Sequence, residues 1–235
     1  MKSVQNGILL KRLNYSETSL ILHFYTKEVG FQAYLFQGGK KKKGNMLHPL
    51  SIIEISSFHR NDSGLGKISE VSASYAAQEI PYHPIKSGIA FFVAEILASV
   101  LHNSDKDERM YAFLIREIQW IDHSEELTNY PIWFMLKFAE EMGVGINVED
   151  ENGRIFNLQE GVISNQTPHN DFYISDELVP IFIQLLNSEK SEFLALPIRK
   201  IHRKQLLEHL LKYFHYHFSN FKTPQSLEVI QAVMD

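Results

Sequence analysis

The chain has no cysteine, which excludes disulfides and thiolate metal sites. It has no apolar run near the ~18 residues that a membrane-spanning helix needs. The apolar patch at Ile8-Leu9-Leu10 is too short for a signal-peptide core. A cytoplasmic protein with no membrane role is expected. Catalytic signatures are missing as well. Ser19, Ser51 and Ser99 have no nucleophile-elbow context. Gly64-Leu65-Gly66 is followed by no Gly-Lys-Ser. Glu140-Glu141 and Glu149-Asp150-Glu151 read as solvated acids rather than acid/base pairs. Eleven histidines invite a metal reading. His215 and His217 are two apart on a predicted helix and point to different sides. His202 and His209 could share a face but have no obvious carboxylate partner, and a metal needs convergent ligands. The expectation is a protein that is not an enzyme and binds no metal or cofactor.

What is present is unevenly distributed. At 235 residues, 44% hydrophobic and 22% charged, the chain can bury a sizeable core as one or two domains. The net charge of −5 hides a split. Residues 1–80 hold ten Lys/Arg against six Asp/Glu, and residues 81–235 hold thirteen against twenty-two. A basic first third suits a polyanion. With the turn-prone Ile80-Pro81-Tyr82-His83-Pro84, the split predicts a boundary between residues 1–80 and 81–235.

The first region is organised around Gly38-Gly39-Lys40-Lys41-Lys42-Lys43-Gly44. Four adjacent ammonium groups repel one another and resist burial, so a solvated loop is predicted. Five strands surround it. They run over Ile8–Leu13, Ser19–Tyr25, Phe31–Gln37, Leu50–Phe58 and Leu65–Ala73, with period-two alternation and tight turns. Five short strands suggest a small barrel, and the five-stranded OB barrel commonly binds oligonucleotides. The second region shows helical spacing at 85–102, 107–121, 130–142, 175–186 and 199–218. Ser175 or Asp176 is the expected cap of the fourth helix. A polar excursion at 147–169 interrupts this pattern, with a short hairpin near Ile155-Phe156 and Val162-Ile163. The fold class is therefore α+β, a five-stranded barrel followed by a mainly helical region.

An ordered set of segments resembles the RecO family of bacterial recombination mediators. It comprises Gly7-Ile8-Leu9-Leu10-Lys11, Tyr15–Leu22, Phe24–Gly30, Gly38-Gly39-Lys40-Lys41, Leu47-His48-Pro49-Leu50, Glu140-Glu141-Met142-Gly143 and Ser226–Ile230. The resemblance implies an N-terminal OB domain and a helical domain. It implies binding of single- and double-stranded DNA, annealing of complementary strands, and partnership with RecR and the single-stranded-DNA-binding protein SSB. RecA is then loaded during repair on the nucleoid, with RecF a further candidate partner. Many relatives carry four zinc-binding cysteines in the excursion. Here Asp150-Glu151-Asn152-Gly153 and Ser164-Asn165-Gln166-Thr167 stand about where those pairs lie, so no zinc is expected. The competing class is a protein- or RNA-binding adaptor with no DNA role.

Two sets of site residues follow. Lys11, Arg12, Lys40, Lys41, Lys42, Lys43, Arg60 and Lys67 form the expected phosphate-binding surface. Tyr34 and Phe36 share a strand face opposite Phe31 and Leu35, and are candidates for base stacking; otherwise all four are core. The SSB tail implied by the resemblance is acidic with an apolar tip, so it needs cations beside an apolar pocket. Arg199, Lys200, Arg203 and Lys204, with Leu207 on the face of Arg203, match that need. The opposing reading is an amphipathic helix with buried leucines.

Overall fold

The computed structural model describes residues 2–42, 46–58, 65–169, 172–175 and 177–233. The chain divides into two compact units. One spans Met1–Ser124 with Pro224–Ser226, and the other spans Glu125–Thr223 with Leu227–Asp235. Among the described residues, no helix is long and apolar enough to cross a membrane.

The first unit begins with five strands, β1 (Lys2–Asn14), β2 (Leu20–Thr26), β3 (Gly30–Phe36), β4 (Ile52–Phe58) and β5 (Leu65–Ala73). They close into a barrel in the order β1-β2-β3-β5-β4. Closure depends on β1, which pairs with β4 over Lys2–Ile8 and with β2 over Gly7–Asn14. Its register shifts between Leu9 and Lys11, and such a bulge bends a strand around a barrel. The interior holds Leu9, Leu20, Leu22, Phe24, Tyr34, Phe36, Ile53, Ile55, Ile68 and Val71.

Two expectations change here. Tyr34 and Phe36 face inward, at 0% and 3% exposure, so neither ring is presented to a base. The Tyr34 hydroxyl donates to Gln5 Oε1 inside the barrel, and burial pushes its phenol up to about 12. Leu35 and Phe31 point the other way, and the Phe31 ring lies 5.4 Å from His23 and 4.8 Å from His102. Both faces of β3 are thus apolar for different reasons, and alternation alone cannot tell which meets the core. The lysine run is also not a simple loop. Gly39–Lys42 forms one helical turn, α1. A Cβ on Gly39 would lie 2.5 Å from the Phe36 ring, so glycine lets this turn pass over the core. Lys43 lies outside the described residues.

The barrel ends at Ala73, and the helices α2 (Pro84–Val100) and α3 (Glu108–His123) belong to the same compact unit. The buried Asp122 carboxylate ties the connecting segment down. It accepts from the Tyr75 hydroxyl at 2.7 Å and from the Gln78, Glu79 and Ile80 amides at 2.9 Å each. The buried Lys86 ammonium donates to the Asp122 carbonyl at 2.9 Å and pairs with Glu79. The β2–β3 hairpin meets the α2–α3 loop, where Tyr25 Oη accepts from the Asp107 amide at 3.1 Å.

The second unit holds α4 (Tyr130–Glu141), a small sheet, α5 (Val179–Leu186), α6 (Lys190–Ala195), α7 (Lys200–His217) and α8 (Leu227–Val233). The sheet order is β6-β8-β7-β9, from Asn147–Val148, Val162–Ser164, Ile155–Asn157 and Tyr173–Ile174. Helix α5 starts at Val179, four residues later than expected. Leu178 is its N-cap and no side chain caps it. Asp176 lies outside the described residues. Aromatic rings form the core. Phe134 stacks on Phe138 at 5.6 Å, and Phe156 lies 5.4 Å from Phe182 and 5.6 Å from Tyr213.

Candidate nucleic-acid interface

Cross-strand partners share a face of the sheet, so register alone maps the outer surface of the barrel. One row runs Leu13, Ile21, Leu35, Lys67, Phe58 across all five strands. A second runs Lys11, His23, Ala33, Leu65. Phe58 is 48% exposed, Leu13 38% and Leu65 37%. Large apolar groups thus stay in solvent beside Lys11 and Lys67, both exposed. His23 adds little charge. Burial, Lys11 and His102 all hold its pKa below the ordinary histidine value.

The lysine turn docks at the end of this surface. Lys40 Nζ donates to the Ser16 carbonyl at 2.8 Å, and its amide donates to the Thr18 carbonyl at 3.4 Å. Both carbonyls belong to the β1–β2 loop, which is closed by Tyr15 and Ser16 amides donating to the Ser19 carbonyl at 3.1 and 3.3 Å. That loop carries Tyr15, 64% exposed. Arg12 Nη1 donates to the Leu47 carbonyl at 3.4 Å. The structure therefore brings Lys40 and the β1–β2 loop together, with Lys11 and Arg12 at the end of β1 leading into that loop. Lys41 and Lys42 continue the α1 backbone. Arg60, like Lys43, lies outside the described residues.

Sequence reasoning did not single out Tyr15 and Phe58 as exposed rings. The signal for Phe58 was available, because an inward Ile53, Ile55 and Ser57 places it outward by period two. Tyr15 sat in a segment read only as a polar turn. An exposed ring beside fixed cations can take an unpaired base on its face and phosphates at its edge.

The second proposed site divides. Arg199, Lys200 and Lys204 are exposed at the start of α7. Glu177 lies 3.9 Å from Arg199 and 3.2 Å from His202 Nε2. Arg203 donates to the Ile198 carbonyl. Leu207 is fully buried, at 0% exposure, with Leu206, Leu210 and Leu211. These leucines hold the second unit together, so none can line a pocket. The exposed apolar residue among the cations is Ile201, at 54%.

The excursion is closed by polar groups. Asn165 Nδ2 donates to Asp150 Oδ2 at 2.6 Å, while Asn165 Oδ1 accepts from the Arg154 amide at 3.2 Å. Asp150 Oδ1 accepts from the Asn152 amide at 2.8 Å. Each side chain thereby fixes a turn as well as bridging the pair. Among the described residues, no three His, Asp or Glu side chains converge as a metal-binding group.

Two family models cover the chain. Recombination protein O N terminal matches residues 1–76, and Recombination protein O C terminal matches residues 82–226. The chain belongs to the RecO family. The gap between the two matches falls on the turn that Asp122 holds. The DNA repair protein RecO of Flavobacterium psychrophilum is 27% identical over 238 residues, covering 99% of each chain. The protein of the same name from Phocaeicola vulgatus is 27% identical, with 97% of each chain covered. That of Porphyromonas gingivalis is 22% identical over 99% of each.

Proposed function

We propose that the chain is a non-enzymatic DNA-binding mediator of repair and recombination. The observation that carries this reading is the pairing, at one end of a closed barrel, of exposed Tyr15 with the docked lysine turn. The barrel, residues 1–80, is the DNA-binding domain. Lys11, Arg12, Lys40–Lys43, Arg60 and Lys67 hold phosphates as point charges, without reading sequence. Tyr15 and Phe58 supply the stacking rings first assigned to Tyr34 and Phe36. Holding two strands this way supports annealing, and with RecR it supports RecA loading on SSB-coated DNA in the cytoplasm, with RecF as a further partner. The acidic SSB tail docks on Arg199, Lys200 and Lys204, with Ile201 in place of Leu207 against its apolar tip.

The test is annealing of complementary oligonucleotides coated with the cognate SSB. The protein should accelerate it, and Lys40–Lys43→Ala should remove most of the gain. Equal rates with and without protein would sink the proposal. Salt separates a mediator from a protein-binding adaptor: about four single-strand phosphate contacts give a log–log slope of roughly −3.

A further inference from the structure

His23 stands in the outer row of the barrel that also holds Lys11, Ala33 and Leu65. It is the direct cross-strand partner of Lys11, and the Cβ atoms of such partners lie about 4.5–5.5 Å apart. The ring is half-buried. Phe31 meets it edge-on at 5.4 Å, and Phe31 in turn packs against His102 at 4.8 Å. The groups that face it are cationic or neutral. β1 presents Lys11, the segment after α2 presents His102, and β3 presents Phe31 and Ala33. On β2 itself the next residue of that face is Tyr25. Its hydroxyl is engaged by the Asp105 carbonyl and the Asp107 amide, and burial keeps it neutral. Among the described residues, neither ring nitrogen of His23 has a hydrogen-bond partner.

We infer that His23 is a proton-linked phosphate contact: a DNA phosphate seated between Lys11 and His23 draws a proton from solvent onto the imidazole. This rests on the DNA-binding reading of the barrel and adds to it a residue outside its set of lysines and arginines. In the free chain, burial first and then the charges of Lys11 and His102 keep the ring neutral. A proton there would set a second cation beside Lys11. A phosphate reverses the balance, because it is an opposite charge in contact with both groups. An opposite charge within about 4–6 Å favours the charged form of a group by about tenfold or more. The imidazolium then donates to a phosphate oxygen, and such a charge-assisted bond is stronger than a neutral one. The lysines of α1 differ, since an ammonium carries its proton whether or not DNA is bound. The sign follows from linkage. The ring holds its proton more tightly in the complex than in the free chain, so DNA affinity rises as pH falls through the histidine range, from about 8 to 5.

Anisotropy titrations of a labelled oligothymidine test it, across the histidine range and at fixed ionic strength. The strand should exceed the about 16 nucleotides that one OB barrel can cover. The chain's eleven histidines give a shared background, so the quantity compared is the gain in affinity on acidification, in wild type and in His23→Gln. The wild-type gain should be larger by about tenfold. Calorimetry near neutral pH, in two buffers of different ionisation enthalpy, should show proton uptake on binding by wild type that the variant lacks. Should His23→Gln unfold, as read by circular dichroism, the wild-type chain serves alone. The His23 imidazole resonance, assigned through its contact with Phe31, should titrate at higher pH with the oligonucleotide than without it. Equal gains in the two proteins overturn the inference and leave the DNA-binding reading standing. So does a His23 titration that the oligonucleotide does not move. Absence of binding at every pH overturns the DNA-binding reading itself, and this inference with it.

Discussion

In the barrel the backbone ladder closes on itself, so every strand edge is paired and the core is sealed by hydrogen bonds as well as packing. In the second unit no ladder closes. Strands of two or three residues lie among helices, and rings such as Phe134, Phe138, Phe156, Phe182 and Tyr213 fill the interior. The difference separates structure from function. The sealed barrel leaves Tyr15, Phe58, Lys11 and Lys67 in solvent. In the second unit Leu207 is drawn into the interior among these rings and leucines. A residue read as binding surface is instead core.

The largest expected effect breaks the second unit. Phe156→Ala removes a fully buried ring shared with Phe182 and Tyr213, at a cost of about 3–5 kcal/mol. Hydrogen exchange should then show the second unit opening while barrel amides stay protected. Equal loss of protection in both would erase the distinction between them. Tyr34→Ala should cost the barrel a similar amount and lower its melting temperature, since that ring is core.

Acid sharpens the comparison next. Burial by itself would raise the Asp122 pKa. The Tyr75 hydroxyl and the Ile80, Gln78 and Glu79 amides outweigh it, bringing the carboxyl down to about 2. A depressed carboxyl contributes stability that is complete above its unfolded value near 3.9 and lost as pH falls towards the folded value. The contribution is on the order of a few kcal/mol. The first unit should therefore weaken between about pH 4 and 2, and Asp122→Asn should flatten that dependence in acid unfolding curves. An unchanged acid profile would move the latch elsewhere.

Smaller effects concern surfaces. Tyr15→Ala and Phe58→Ala should each cost about 1–3 kcal/mol of single-strand affinity, with melting temperature unchanged. Loss of stability with intact affinity would return these rings to a packing role. Each lysine removed from Lys40–Lys43 should make the salt slope shallower by about 0.7. Smallest of all, Asn165→Ala should cost about 1 kcal/mol, because it opens a clasp that is partly in water. Thermal melts of the variant should show a shift confined to the second unit.

Much of the architecture was legible because it is local. Period-two and helical spacing located β5 at Leu65–Ala73 and α4 near Tyr130, and the excursion hairpin near Phe156 and Ile163, which pair directly. Absence of cysteine excluded a thiolate site without any structure. The basic first third falls on the barrel strands. Tertiary structure alone decided the rest, for physical reasons. Alternation gives a strand two faces but not which faces inward, and β3 is apolar on both because the barrel core covers one and His102 packs against the other. Asp122 reads as an ordinary helix acid until the chain brings back Tyr75 and the amides of residues 78–80, more than forty positions away in sequence. Asp150 and Asn165 likewise become partners only through the parallel pairing of β6 and β8. Side-chain hydrogen bonds across such separations leave no periodic trace, so composition and spacing can locate a segment but not what holds it.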